Sequence, residues 1–303
     1  MKNLCYLLLL LLTIGCQSEE QQTPSVEETP VATEELAPAK IISLNGTITE
    51  LLYEMNLGDQ LVGIDRTSTY PAATQNVTNL GHVSQLNAEA ILALQPTAIF
   101  IDKKNEQNEV LDQIKAAGIS IHTIDIPYTL NGAVEAMEQL SDLLQQEVNT
   151  ANLRQKIATN QQKIEQLIAK SSSSPKVLFI YARGTQTLMV AGENTFASAM
   201  IKIAGGTPAV QDFESFKPLT PEALLACNPD AILMFDSGLA SLANEEEEQS
   251  AIEGLLSIKG MDKTPAGKNQ NVIIMDGAYL SGFGPRASDA ALELAQKIHS
   301  PSK

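Results

Sequence analysis

From Ile41 onward, short runs of β-branched and other apolar residues alternate with longer stretches of helical spacing. IISL (41–44), LVGI (61–64), AIFI (98–101), ISIHTI (119–124), VLFIY (177–181), AILMF (231–235) and VIIM (272–275) are near-continuous apolar segments. That pattern belongs to strands covered on both faces. TITELLYEMN (47–56) has apolar residues at helical spacing, with Thr47 and Glu50 reading as a capping box and Gly58 as the stop. Alternating β and α elements imply parallel sheets joined by helical crossovers. Between the two groups of strands, residues 132–170 keep a helical spacing with no Pro and no Gly after Gly132, until SSSSP (171–175) ends it. The spacing weakens at Glu147–Thr150, where a break in this helix would fall. The fold class that follows is α/β: two Rossmann-like lobes with parallel sheets, at 39–145 and 173–303, joined by a long rigid α-helix at 146–172.

An internal repeat links the lobes. LNAEAILALQPTAIF (86–100) aligns without gaps on LTPEALLACNPDAIL (219–233), with eight identities in fifteen positions. Each copy reads as a capped helix, a Pro turn and a buried strand. Duplicated lobes that face one another make a cleft. Two copies at long spacing do not make a solenoid.

The first 38 residues behave differently. Lys2 and the apolar run Leu4–Ile14, too short to span a bilayer, precede Gly15 and Cys16. This resembles a bacterial lipoprotein signal peptide over 1–15, with Cys16 as the lipidated residue, although Thr13 stands where that pattern has Leu. Cys5 falls in the segment that would be removed. Residues 16–38, rich in Glu, Gln, Thr, Pro and Ala, cannot bury enough surface to order themselves and read as a flexible tether. The expected location is the cell envelope, exported and lipid-anchored, on a periplasm-facing membrane or at the cell surface.

Composition narrows the classes of function. The chain of 303 residues carries 20 Lys and Arg against 36 Asp and Glu, a formal net charge of −16, which argues against nucleic acid as a partner. Three widely spaced Cys build no disulfide scaffold. His82, His122 and His299 are the only histidines, too few for a closed His-rich metal site. His82 reads as a hydrogen-bonded loop residue or a pocket residue, His122 as core, and Cys227 as a small buried apolar residue. GxSxG, HExxH and clustered Asp/His are absent from the sequence, so an enzyme is not expected. Gly282, Gly284 and Ala287 satisfy G-x-G-x-x-A, but too few residues follow to complete a βαβ unit. Glu245–Glu248 reads as a solvated charge run.

The signal, the two α/β lobes, the long helix and the paired repeat units together resemble a class III substrate-binding protein of ABC importers. That family carries cobalamin, ferric siderophores, heme, zinc or manganese. RTSTYP (66–71), LMVAGENTFASAMIKIAGG (188–206) and YLSGFGPR (279–286) are similar to its heme (hemin)-binding branch. The resemblance implies heme as the transported ligand, with Tyr70 as the axial ligand of its iron. A phenolate is a hard anionic donor suited to ferric iron, and Tyr is an established class of heme ligand. Read from the residues alone, Tyr70 is instead a packed tyrosine at a strand-to-loop boundary, its hydroxyl hydrogen-bonded to backbone.

Three of the four Arg, namely Arg66, Arg183 and Arg286, sit in these motif loops, where they could meet propionates; Arg66 and Arg286 could instead pair with Asp65 and Asp289. Tyr279 and Met189 complete the implied pocket. Some heme-binding relatives place a His after the strand that matches VLFIY, whereas this chain reads YARG, so no second protein ligand is implied. Glu89 and Glu222, one per repeat, favour their helix dipoles, and the resemblance makes them contacts to the Arg residues of a dimeric ABC permease. A monomer is expected. A ferric siderophore or cobalamin in the same fold is the alternative ligand.

Overall fold

In a computed structural model, residues 39–182, 188–241 and 248–299 are described. The signal and tether segments with Cys16, the loop with Arg183, and Glu245–Glu247 of the acidic run lie outside them. The described chain belongs to one compact unit that begins at Pro38.

The first sheet is built from β1 (Ile41–Ser43), β2 (Leu61–Ile64), β3 (Thr78–Asn79), β4 (Ala98–Asp102) and β5 (Ser120–Ile124), in the order β3-β2-β1-β4-β5. Every pairing is parallel. Its helices are α1 (Gly46–Glu54), α2 (Ala88–Ala93), α3 (Glu109–Ala116) and α4 (Gly132–Leu144). Next comes α5 (Ala151–Lys170), which leads to the second sheet.

The second sheet contains β6 (Lys176–Ala182), β7 (Leu188–Ala191), β8 (Thr207–Pro208), β9 (Phe216–Pro218), β10 (Ala231–Phe235) and β11 (Val272–Met275), ordered β11-β10-β6-β7-β9 with β8 beside β6. Here the all-parallel expectation needs correction. β11, β10, β6 and β8 run parallel, but β7 and β9 join antiparallel. The helices of this lobe are α6 (Phe196–Ile203), α7 (Pro221–Cys227), α8 (Asp236–Ala240), α9 (Glu248–Leu256), α10 (Pro265–Lys268), α11 (Gly277–Ser281) and α12 (Ala287–His299).

Period-2 alternation sorts the strand residues into three cores. Ile41, Phe100, Val177, Phe179, Leu233 and Met275 face a central core that runs through both lobes and includes residues of α4, α5 and α12. Ile42, Ile99 and Ile101 face an outer core under α2 and α3. Leu178, Ile180, Ile232 and Met234 face the corresponding outer core of the second lobe. A single central core explains why the lobes form one unit.

The helical stretch 132–170 divides where its apolar spacing weakens: α4 ends with Gln145 in the left-handed region (φ 52°), and α5 starts at Ala151, whose N–H donates to Asn149 Oδ1 at 3.0 Å. The capping box of α1 does not form. Asn45 caps it instead, its Oδ1 accepting from Thr47 N and Ile48 N at 2.8 and 3.1 Å, so the cap lies two residues earlier and the helix starts at Gly46. That releases Thr47 and Glu50 for contacts with the second lobe.

Candidate functional site

The cleft between the lobes forms where α1, the ends of β4 and β5, and the turn after α11 converge. It holds about 570 Å³ and opens to solvent, between Asn45, Thr47 and Glu50 on one side and Ala278, Ser281 and Gly282 on the other. The loop after α11 is fastened across it. Thr47 Oγ1 donates to the Gly282 carbonyl, and the Tyr128 ring packs 5.1 Å from the buried Phe283 ring. Arg286 grips Glu50 through two bonds, Nε to Oε2 at 2.9 Å and Nη2 to Oε1 at 2.5 Å. Both groups are largely shielded, and a bidentate guanidinium–carboxylate pair in such a place is geometrically well defined. Burial works against the charge of Arg286, but the bonds to Glu50 and the nearby carboxylates outweigh it, and its pKa is raised further.

Tyr70 sits on the β2–β3 loop, 48% exposed, and its ring lies 3.9 Å from the Arg286 guanidinium carbon. Tyr279 lies near the same guanidinium, at 5.3 Å. The structure thus brings together three of the residues singled out in the sequence: Tyr70, Arg286 and Tyr279. The hydroxyl of Tyr70 finds no hydrogen-bond partner among the described residues, unlike a tyrosine packed into a strand boundary. Tyr279 is different. Burial, with Glu293 and Asp289 adding to it and Arg286 opposing, pushes its pKa up to about 12.

The remaining candidates are dispersed. Arg66 is exposed on the same loop as Tyr70 and does not pair with Asp65, whose partners are Thr67 and Ser68. Arg286 does not pair with Asp289 either; Lys156 does, at 2.7 Å. Met189, half-buried on β7, stands opposite Tyr181 in the antiparallel pair and is not part of the cleft wall. Glu89 and Glu222 are both exposed in the first turns of α2 and α7. The caps of those helices match across the repeat: Asn87 Oδ1 accepts from Ala90 N at 3.0 Å and Thr220 Oγ1 from Ala223 N at 3.1 Å.

His82 is a turn residue bonded to Ser84. His122 is half-buried and stacked on Phe100 at 5.3 Å, not in the core. Cys227 is also only half-buried; its thiol donates to the Leu224 carbonyl, and burial raises its pKa to about 11. Among the described residues no group of His, Cys, Asp and Glu could hold a bare metal ion.

Sequence reasoning missed three cleft residues. Glu50 reads as a cap residue. Lys104, 3.8 Å from the Tyr128 ring centroid and 3.9 Å from the Asp102 carboxylate, carries no local motif, and neither does Tyr128. Lys104 and Tyr128 follow the C-terminal ends of β4 and β5, the edge at which open α/β sheets bind ligands, and that rule could have found them.

A family model described as periplasmic binding protein matches residues 41–279. The chain belongs to the periplasmic binding protein family. Its fold superposes on RhuT, a periplasmic heme-binding protein from Roseiflexus sp. RS-1 solved in apo form, with a TM-score of 0.78 and 35% identity over 86% of this chain and 98% of that one. It is 29% identical to the vitamin B12-binding protein of Photorhabdus laumondii, over 87% of this chain and 89% of the relative. It is 25% identical to an uncharacterized ABC transporter substrate-binding lipoprotein, YvrC, of Bacillus subtilis, over 86% and 80% of the two chains. As a periplasmic binding protein the chain is an extracytoplasmic, envelope-associated component that binds a solute, and the substrate-binding components among its relatives imply a permease partner. A two-lobed binding fold is what the sequence led us to expect.

Proposed function

We propose that this periplasmic binding protein captures heme and delivers it to an ABC permease, with Tyr70 supplying the axial oxygen to ferric iron. The carrying observation is the exposed Tyr70 ring laid 3.9 Å from an arginine that is itself fixed by Glu50. A guanidinium over the face of a phenol attracts the ring and holds it in place, and an oxygen donor of this class is what ferric iron favours. The likeness to RhuT supports the same ligand. Lys104, with Arg66 and Arg183, supplies candidate partners for the propionates, a role that Arg286 gives up while it holds Glu50.

Around this core reading stand three further assignments. Cys16 carries the lipid anchor after removal of residues 1–15, Glu89 and Glu222 contact the permease, and the protein performs no bond chemistry. Replacement of Cys16 by Ala should release the protein from the membrane fraction.

Hemin titration followed by visible spectroscopy tests the ligand. The protein should give a high-spin, tyrosinate-type ferric spectrum, and Tyr70→Phe should lose it with at least about a tenfold loss of affinity, the lower end of what changes to a metal's supporting shell cost. The relatives named for cobalamin and vitamin B12 favour a second reading. Saturable binding of cyanocobalamin with no hemin spectrum would establish it in place of the first.

A further inference from the structure

We propose that Asp65 is a positioning residue for Tyr70, acting through the hydroxyls of Thr67 and Ser68. This rests on the reading of Tyr70 as the ligand-binding residue. Asp65 closes β2 and is 1% exposed. Both its carboxylate oxygens accept from Thr67 Oγ1, at 2.9 and 2.7 Å, and Oδ1 also accepts from Ser68 Oγ at 2.8 Å. Among the described residues no Lys or Arg pairs with it, and its one nearby basic group is His82. Burial pushes its pKa up, against the pull of the Thr67 and Ser68 bonds. A buried carboxylate without a cation is costly, so a turn that needed only to reverse the chain would be built more cheaply from backbone bonds or apolar contacts.

What the carboxylate secures is the loop that carries Tyr70, and it ties that loop to α1. Thr67 Oγ1 accepts from Gly46 N at 2.9 Å, and Ser68 Oγ lies 2.7 Å from Thr49 Oγ1. The approach is so close that a Cβ at Gly46 would fall 2.5 Å from the Thr67 carbonyl oxygen. One turn further along α1, Glu50 holds the arginine that lies against the Tyr70 ring. The base of the loop and the face of the ring are therefore both referenced to one helix, with Asp65 at the root of the first connection. Tyr70 is the residue whose direction this arrangement determines.

The pair Thr67→Val and Thr67→Ser separates this role from general stability, because the first keeps the shape and loses the hydroxyl while the second keeps the hydroxyl. Tyr-ring carbon NMR of the ligand-free protein and hemin titration are the readouts, with Asp65→Asn as a third variant. Thr67→Val and Asp65→Asn should move the Tyr70 resonance and weaken hemin binding by about 10- to 100-fold, the usual cost of removing support from a metal-binding group. They should also alter the ferric spectrum of the bound fraction. Thr67→Ser should restore wild-type behaviour in every measurement. An unmoved Tyr70 resonance in Thr67→Val, or hemin affinity and spectrum like those of the wild type, overturns the proposal. A Tyr70→Phe protein that keeps the tyrosinate spectrum identifies the ligand reading as the failure instead, since the resonance of Tyr70 in the ligand-free protein reports its support without hemin.

Discussion

Tyr70 and Tyr279 flank one guanidinium yet offer a metal different things. Tyr279 keeps its proton up to about pH 12, because burial and the carboxylates of Glu293 and Asp289 disfavour its anion. Tyr279→Phe should therefore leave the type of hemin spectrum unchanged; its loss in that variant would move the axial role from Tyr70 to Tyr279. Cys227 provides a pH-dependent test of a second kind. With its thiol pKa raised from 9.0 to about 11 by burial, the reactive thiolate is scarce at pH 8 and grows as pH rises toward 11. Alkylation at pH 8 should run roughly 100-fold slower than for a cysteine at the ordinary value and speed up nearly tenfold per pH unit, which mass spectrometry can follow. At this scale, the sequence displayed what local motifs carry: Tyr70 in RTSTYP and Arg286 in GFGPR. It hid whatever depends on pairing across the chain. Glu50 and Arg286 are separated by 236 positions, and a local rule claimed Glu50 for a cap that Asn45 makes.

The inner strands were legible because both of their faces are largely buried, so apolar runs and strand bounds nearly coincide; the short exposed β3 and β9 left no such run. β2, β10 and β11 occupy the stretches their apolar runs marked out. Direction was not legible, since periodicity is the same for parallel and antiparallel strands. The antiparallel entry of β7 has a covalent cause: only residues 183–187 separate it from β6, too few for a parallel crossover. The break between α4 and α5 shows in the sequence only as weakened apolar spacing, with no Gly or Pro to announce it. Gln145 ends α4 in a left-handed conformation that costs a side chain-bearing residue about 1 kcal/mol. Gln145→Gly should thus raise stability by about 0.5–1 kcal/mol, read as a higher midpoint in urea with unchanged slope. A drop in stability would mean that the Gln145 side chain makes contacts worth more than the backbone relief.

At the scale of the whole molecule, the net charge of −16 sets up a field that repels hemin, whose two propionates outweigh the single net charge of its ferric porphyrin core. Three Arg in the motif loops suggest a local field of opposite sign. The structure weakens that idea: Arg286 is matched by Glu50, Lys104 by Asp102 and Lys103 by Asp125. Each cation near the described cleft that is paired in this way contributes a dipole, which decays faster with distance than a charge. The approaching ligand should then sense mainly the global repulsion until it is within a few ångströms. Salt screens that repulsion over about 30 Å at 0.01 M and about 10 Å at 0.1 M. The association rate of hemin in stopped-flow mixing should therefore rise by about two- to tenfold between these ionic strengths, modest beside the 10- to 1,000-fold effects of strong steering. The dissociation rate should change little, because contacts in the closed cleft are screened least. An association rate that falls with salt would show instead that a local positive field, with exposed Arg66 on the loop of Tyr70 as its described source, overrides the net charge and guides the ligand in.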